Sequence, residues 1–286
     1  MTQPGEGEPP EPAATDFIGA RDLTHWRSRV GSAVAKRAVA VSQSLQAGTV
    51  AGATRLPYVV LGLVSLLGLL CAALATAASA IIYDDVSEKD GSAVLDQPVL
   101  DQMIQWRTPA RNDLVTDLTT LGSPAVMPLI ATAAALMLAW WWRRWTPLVL
   151  MAVTAGGALT MTIVGKVVVD RVRPAHSLGV PPYESSPSFP SGHSLNSWVI
   201  FAMIAYLVVC RWGSRAGRTA TVMLALMLAV AMGLSRVYLG HHWLTDVLVA
   251  WALGTAWLSV VITAHRLALT VQRHRQTARL AGAAQS

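Results

Sequence analysis

Residues 57–82 read PYVVLGLVSLLGLLCAALATAASAII and contain no charged side chain. The run exceeds the roughly 20 residues that an α-helix needs to cross a bilayer. Further apolar runs fall at 124–142, 146–165, 194–210, 219–235 and 243–264, separated by short polar stretches such as RRW and RWGSRAGR. Composition agrees, with 53% hydrophobic and 13% charged residues, outside the range of an ordinary soluble domain. The expectation is an all-α polytopic membrane protein with six transmembrane helices. In the first outer loop, VLDQMIQWR and LVTDLTTLG mix apolar and charged residues at near-helical spacing and predict short amphipathic helices on the membrane surface.

The first run ends in Ala- and Ser-rich sequence that imitates a signal-peptide cleavage site. A cleavable signal has a short basic leader and an apolar core of about 7–15 residues. Here the run is far longer and follows more than fifty residues, so it reads as a retained helix. Cys71 and Cys210 supply neither a disulfide framework nor a metal pattern, and their place in apolar runs suggests small buried side chains. The net charge of +6 does not point to nucleic acid, because the basic residues cluster in loops flanking the membrane.

Those loops set an expected orientation. Arg21, Arg27, Arg29, Lys36, Arg37 and Arg55 precede the first helix, Arg143 and Arg144 follow the second, and Arg211, Arg215 and Arg218 follow the fourth. Arg266, Arg273, Arg275 and Arg279 follow the sixth. In a six-helix arrangement all fall on one side, which the positive-inside rule makes cytoplasmic, with both termini there. The acid-rich loop 83–123 falls on the other side, and the location expected is a cell membrane. The chain divides into an N-terminal segment 1–55, whose first twenty residues are rich in Pro, Gly and Glu and read as disordered, a six-helix domain 56–265 and a basic tail 266–286.

Three polar clusters share the outer end: KVVVDRVRP at 166–174, PSGHS at 190–194 and SRVYLGHHWLTD at 235–246. Lys166 and Arg173 taken singly could be interfacial side chains that snorkel, and Ser191 and Gly192 could simply start a helix. Asp246 is harder to place, since an acid one turn inside an apolar run is expensive without a partner. Four residues before it stands His242, its neighbour on a helical face. His241, five residues before, is off that face and reads as structural or interfacial.

Lys166, Arg173 and Arg236 in an apolar setting require an anion, and arginine forks match phosphate oxygens. Lys166 and Arg173 lie two helical turns apart and reach the same anion if the helix continues. Backbone N–H groups at Ser191 and Gly192 add donors. A carboxylate that accepts the hydrogen bond of one imidazole N–H leaves the other nitrogen free to attack, which makes His242 a candidate nucleophile and His193 a candidate general acid. No Cys/His/Asp cluster has metal-ligand spacing, so neither a metal nor another cofactor is expected. The cations themselves neutralise phosphoryl charge.

The order K-x6-RP, PSGH and SR-x5-H-x3-D resembles the signature motifs of the type 2 phosphatidic acid phosphatase family, here Lys166–Pro174, Pro190–His193 and Ser235–Asp246. The resemblance covers residues 166–246 and leaves the N-terminal leader out. It implies metal-independent hydrolysis of a phosphate ester through a phosphohistidine at His242, oriented by Asp246, with His193 as leaving-group acid. It also implies Lys166, Arg173, Ser191, Gly192 and Arg236 around the phosphoryl oxygens. The expected partner is a phosphorylated membrane lipid in the outer leaflet: a polyprenyl diphosphate, phosphatidic acid or phosphatidylglycerophosphate. A phosphotransferase using the same phosphohistidine is the nearest alternative. Vanadate-dependent haloperoxidases share the anion pocket but are soluble proteins, and an anion transporter needs no His–Asp pair.

Overall fold

The computed structural model describes residues 56–211 and 213–283, so the expected N-terminal segment lies outside the described residues. Eight α-helices appear among them, and no strand. They are α1 (Leu56–Glu88), α2 (Asp96–Gln105), α3 (Pro109–Thr120), α4 (Val126–Trp142), α5 (Thr146–Val169), α6 (Gly192–Arg211), α7 (Arg215–Tyr238) and α8 (Leu244–Ala283). Each expected apolar run is a helix. Five are long and apolar enough to cross a membrane, and α4, with 17 residues, is shorter but still at the lower limit of about 17. The protein is an all-α polytopic membrane protein.

The buried core gathers Met127 and Leu138 of α4, Met151 and Ala158 of α5, Leu195 and Met203 of α6 and Ala250 and Leu258 of α8. Polar groups inside it find partners between helices. Trp198 Nε1 donates to Thr255 Oγ1 at 3.1 Å, and Trp257 Nε1 to the Thr154 carbonyl at 3.2 Å. Around this core the surface stays apolar: Leu66 and Leu74 of α1 are 64% and 62% exposed, and Val167 of α5 is 77% exposed. In water such patches would be a liability, whereas in a bilayer they face acyl chains. Helix α1 is the most peripheral and packs along α8. Of the two cysteines, Cys210 is buried as expected, but Cys71 on α1 is exposed, because α1 turns most of its circumference outward.

Helices α2 and α3 form where the first outer loop predicted helices. Helix α3 starts on Thr108, whose Oγ1 accepts the Arg111 N–H at 3.3 Å, with Pro109 in the first turn. Between them, Arg107 reaches back to the end of α7. Its Nε donates to the Tyr238 carbonyl at 2.8 Å and its Nη1 to the Leu178 carbonyl at 2.6 Å. A guanidinium there satisfies carbonyls left over at a helix C-terminus and complements its dipole. The turn that follows needs Gly240, with φ of +72°, where a Cβ would stand 2.6 Å from the Leu178 oxygen. At its other end the bundle continues as α8, whose 40 residues measure about 60 Å, through much of the segment expected as a tail.

Candidate active site

Helix α5 does not continue to Arg173. It stops at Val169, and Asp170 adopts a left-handed conformation (φ 43°) with its N–H on the Lys166 carbonyl at 3.2 Å. Pro174 reinforces the break, since the residue before a proline avoids helical geometry. Lys166 and Arg173 nevertheless converge, one from the last turn of the helix and one from the irregular segment beyond it. Lys166 Nζ donates to Ser186 Oγ at 3.0 Å and to the Pro187 carbonyl. Arg173 Nε donates to the Ser186 carbonyl at 2.6 Å. Gly165 makes the approach possible, as a Cβ on it would meet Pro190 Cδ at 2.4 Å.

Opposite them stands Arg236 in the last turn of α7, 2% exposed. The three cations surround a residue that sequence reasoning missed, Glu184. Its carboxylate accepts from Arg173 Nη2 at 2.8 Å and from Arg236 Nη2, and lies 3.8 Å from His193 Nδ1. Burial alone would push this carboxyl up; Arg236 and Arg173 outweigh it and hold it at about 2. The only available signal was that Glu184 is the sole acid between Asp170 and Asp246. His193 itself sits in the first turn of α6 and is 11% exposed at its side chain.

The expected His242–Asp246 pairing arises by a different route from the one the spacing suggested. Helix α8 begins at Leu244, so His242 precedes it and shares no helical face with Asp246. Asp246 instead reaches back over the first turn. Its Oδ2 accepts the Trp243 N–H at 2.9 Å and lies 3.4 Å from His242 Nδ1. This is the return half of a capping box, with the carboxylate three residues into the helix holding the residue that opens it. His242 Nε2 lies 3.1 Å from Arg173 Nη1. A guanidinium can only donate, so Nε2 is the acceptor and the imidazole proton belongs on Nδ1, toward Asp246. Burial, with Arg173 and Arg236 adding to it, holds His242 well below the usual imidazole range and therefore neutral at pH 7. His241 goes elsewhere: its Nε2 meets the Val180 carbonyl at 2.7 Å, and burial followed by Arg236 lowers it to about 4.

Asp246 is fully buried, and a buried carboxylate is tolerable only when paired. Besides Trp243 and His242, it accepts from Ser188 Oγ and, through Oδ1, from Arg171 Nη1 at 2.6 Å. Arg171 Nη2 also holds Asp96 Oδ2 at 2.7 Å. Asp96, at the start of α2, accepts the Thr245 N–H at 2.9 Å and the Thr245 hydroxyl at 2.7 Å. Arg171 and Arg173, two residues apart, thus serve opposite sides of one histidine. Ser191 and Gly192 also differ from each other. Gly192 lines a cavity shared with His193, Lys166 and Glu184. Ser191 is fully buried; its N–H goes to the Asp246 carbonyl at 3.2 Å, and its Oγ accepts from the Ser194 hydroxyl at 2.7 Å.

A bundle of membrane helices with a cationic pocket and a histidine backed by a carboxylate defines an integral membrane enzyme of phosphate-ester chemistry. The profile of the PAP2 superfamily matches residues 145–269. Phosphatidylglycerophosphatase B of Bacillus subtilis is 35% identical over 161 residues, which are 56% of this chain and 77% of that protein. The solved transmembrane PAP2 type phosphatidylglycerolphosphate phosphatase from Bacillus subtilis superposes with a TM-score of 0.61 at 28% identity. It covers 66% of this chain and 93% of that one. The chain belongs to the PAP2 superfamily, and it is a phosphatase of the membrane.

Proposed function

We propose that the protein hydrolyses the phosphomonoester or diphosphate of a membrane lipid through a phosphohistidine at His242. One observation carries the lipid part of this reading. A cavity of about 700 Å³ begins at Lys166, Glu184 and His193 and runs between α4 and α5, past Met127 and Ala131, to Leu159. Leu159 is 54% exposed on the side of the bundle, so the cavity leads from the cationic pocket to the bilayer. A phosphate head can sit among the cations while its tail stays in hydrocarbon. Phosphatidylglycerophosphate is the first substrate to try, on the strength of the Bacillus relative; phosphatidic acid and a polyprenyl diphosphate follow.

In this mechanism the substrate phosphate takes over the arginine partners of Glu184. His242 Nε2 attacks phosphorus, the bond to the lipid oxygen breaks, and His193 gives that oxygen its proton. Asp246 holds the Nδ1 proton and stabilises the cation that develops on the ring. Water then attacks the phosphohistidine, returns a proton to His193 and releases phosphate. Lys166, Arg173, Arg236 and the N–H groups opening α6 at Gly192 neutralise the phosphoryl oxygens throughout. The distribution of Lys and Arg supports an extracytoplasmic site with both termini in the cytoplasm.

Phosphate release from the three lipids in detergent tests the reading. Release that survives EDTA and is competitively inhibited by vanadate supports it; no release from any lipid, or activity lost to EDTA and restored by magnesium, would refute it. A cysteine placed within 176–182 should react with a membrane-impermeant reagent on intact cells, and one at 214 should not. The reverse would overturn the orientation.

A further inference from the structure

Arg236 is held differently from the other two cations of the pocket. Lys166 donates to the Pro187 carbonyl, and Arg173 to the carbonyls of Ser186 and His241. The proposed mechanism leaves these backbone bonds intact. Arg236 bonds two side chains among the described residues: its Nη2 donates to Glu184, and its Nη1 to Thr119 Oγ1 at 3.0 Å. Its Nε is buried without a partner there. Once phosphate displaces Glu184, the Thr119 hydroxyl is the one protein group among the described residues that still bonds this guanidinium.

Helix α3 places Thr119 for the task by packing against α7. Asn112 and Thr119 stand two turns apart on one face of α3. Asn112 Oδ1 accepts from Tyr238 Oη at 3.1 Å, so these two side chains bridge to Tyr238 and Arg236 at the end of α7. Just beyond α3, a Cβ on Gly122 would stand 2.6 Å from Met232 Sδ and 3.1 Å from His193 Cδ2. The end of α3 thus touches two residues of the pocket, Arg236 and His193. Thr119 is only 6% exposed, so its oxygen is a fixed acceptor and not a passing surface contact. Both Thr119 and Gly122 lie outside residues 145–269, which match the PAP2 profile, and outside the three motifs.

We propose that Thr119 is a positioning residue for the reaction: its hydroxyl oxygen fixes Nη1 of Arg236, so that Nη2 is aimed at the phosphoryl oxygens. A guanidinium offers nitrogens to two partners at once in one rigid plane. With one nitrogen held by the protein, the other is oriented before the phosphate arrives, which is where preorganised electrostatic stabilisation originates. The first outer loop is thereby part of the catalytic apparatus and not only a cover over it. The inference rests on the phosphate-binding role proposed for Arg236.

The test is a double-mutant cycle in detergent, read as kcat/KM for p-nitrophenyl phosphate, which reports on the phosphoryl pocket without a lipid tail. Thr119→Val keeps the volume and loses the hydroxyl, and should lower kcat/KM about tenfold. Thr119→Ser keeps the hydroxyl and should stay within about twofold of wild type. Arg236→Lys should cost about 10²-fold, since a lysine has one nitrogen and no fork to hold between two partners. Adding Thr119→Val to Arg236→Lys should therefore cost no more than about a further twofold. If Thr119→Val does not fold, Thr119→Ala replaces it in the same cycle. Equal losses from Thr119→Val in both backgrounds would make Thr119 a structural residue and overturn the proposal. Thr119→Val as active as wild type, beside an impaired Arg236→Lys, would overturn it while leaving the phosphate site standing. An unimpaired Arg236→Lys would refute the phosphate-binding role itself, and the positioning with it.

Discussion

On its Nε2 side His242 faces Arg173, with Glu184, Arg236 and Lys166 beyond; on its Nδ1 side it faces Asp246 and Ser188, with Arg171 and Asp96 behind. The first side holds three cations against one carboxylate and opens into a large cavity. The second holds one arginine against two carboxylates, both of them buried. Surplus positive charge beside open space suits a phosphate monoester of about −1.5 to −2 at pH 7. A closed network with every carboxylate oxygen occupied suits a fixed tautomer. The two sides should therefore fail differently: the open side in binding and leaving-group departure, the closed side in the reactivity of one nitrogen.

The largest expected effect falls on the histidine between them. His242→Ala should lower kcat by more than about 10⁴-fold, whereas His241→Ala, which loses only a bond to Val180, should stay within about tenfold; steady-state release from a lipid substrate measures both. On the closed side, Asp246→Asn should cost about 10³-fold with the fold intact, because it supplies the wrong hydrogen-bonding face to Nδ1. Arg171→Ala acts one layer further back and should cost about tenfold in kcat, the equivalent of about 1.4 kcal/mol, with little change in KM and partial recovery in Arg171→Lys. Equal losses in KM would mean that Arg171 binds substrate.

The open side divides by leaving group. His193→Ala should lose about 10²-fold more rate on a lipid than on p-nitrophenyl phosphate, whose leaving oxygen needs no proton. Equal losses, with formation of the phosphoenzyme limiting both reactions, would make His193 a binding residue. The smallest effect belongs to Glu184. Without its carboxylate the arginines are unpaired, so Glu184→Gln should tighten inhibition by inorganic phosphate about tenfold. Its depressed pKa also fixes a sign. The ion pairs stabilise the fold above about 4.5 and are lost as pH falls from there toward about 2. The gap in unfolding midpoint between wild type and Glu184→Gln should therefore narrow below pH 4.5.

The same two sides differ in how far the sequence disclosed them. Lys166, Arg173, Arg236 and the histidines stand out because charged groups are rare in apolar runs, and the six helices stand out because a bilayer imposes their length. The closed side left little trace. Asp96 is one of many acids in an outer loop and meets Thr245 only through the fold, and Ser188 is one serine among several. Helical spacing brought His242 and Asp246 together for the wrong reason, since an acid that caps a helix and an acid on a helical face can have the same separation from a histidine. The assumption of a continuous helix through Arg173 failed at Asp170 because nothing in KVVVDRVRP before the proline announces a left-handed residue.

In the proposed mechanism the covalent step uses Nε2 of His242. Rapid alkaline denaturation during turnover of p-nitrophenyl phosphate labelled in its phosphate should trap the label on the peptide that carries His242. The label should be stable to base and released by acid, as a phosphoramidate is, and absent from His242→Ala. Label on His241, label that survives acid, or labelling undiminished in His242→Ala would rule out a phosphohistidine at His242.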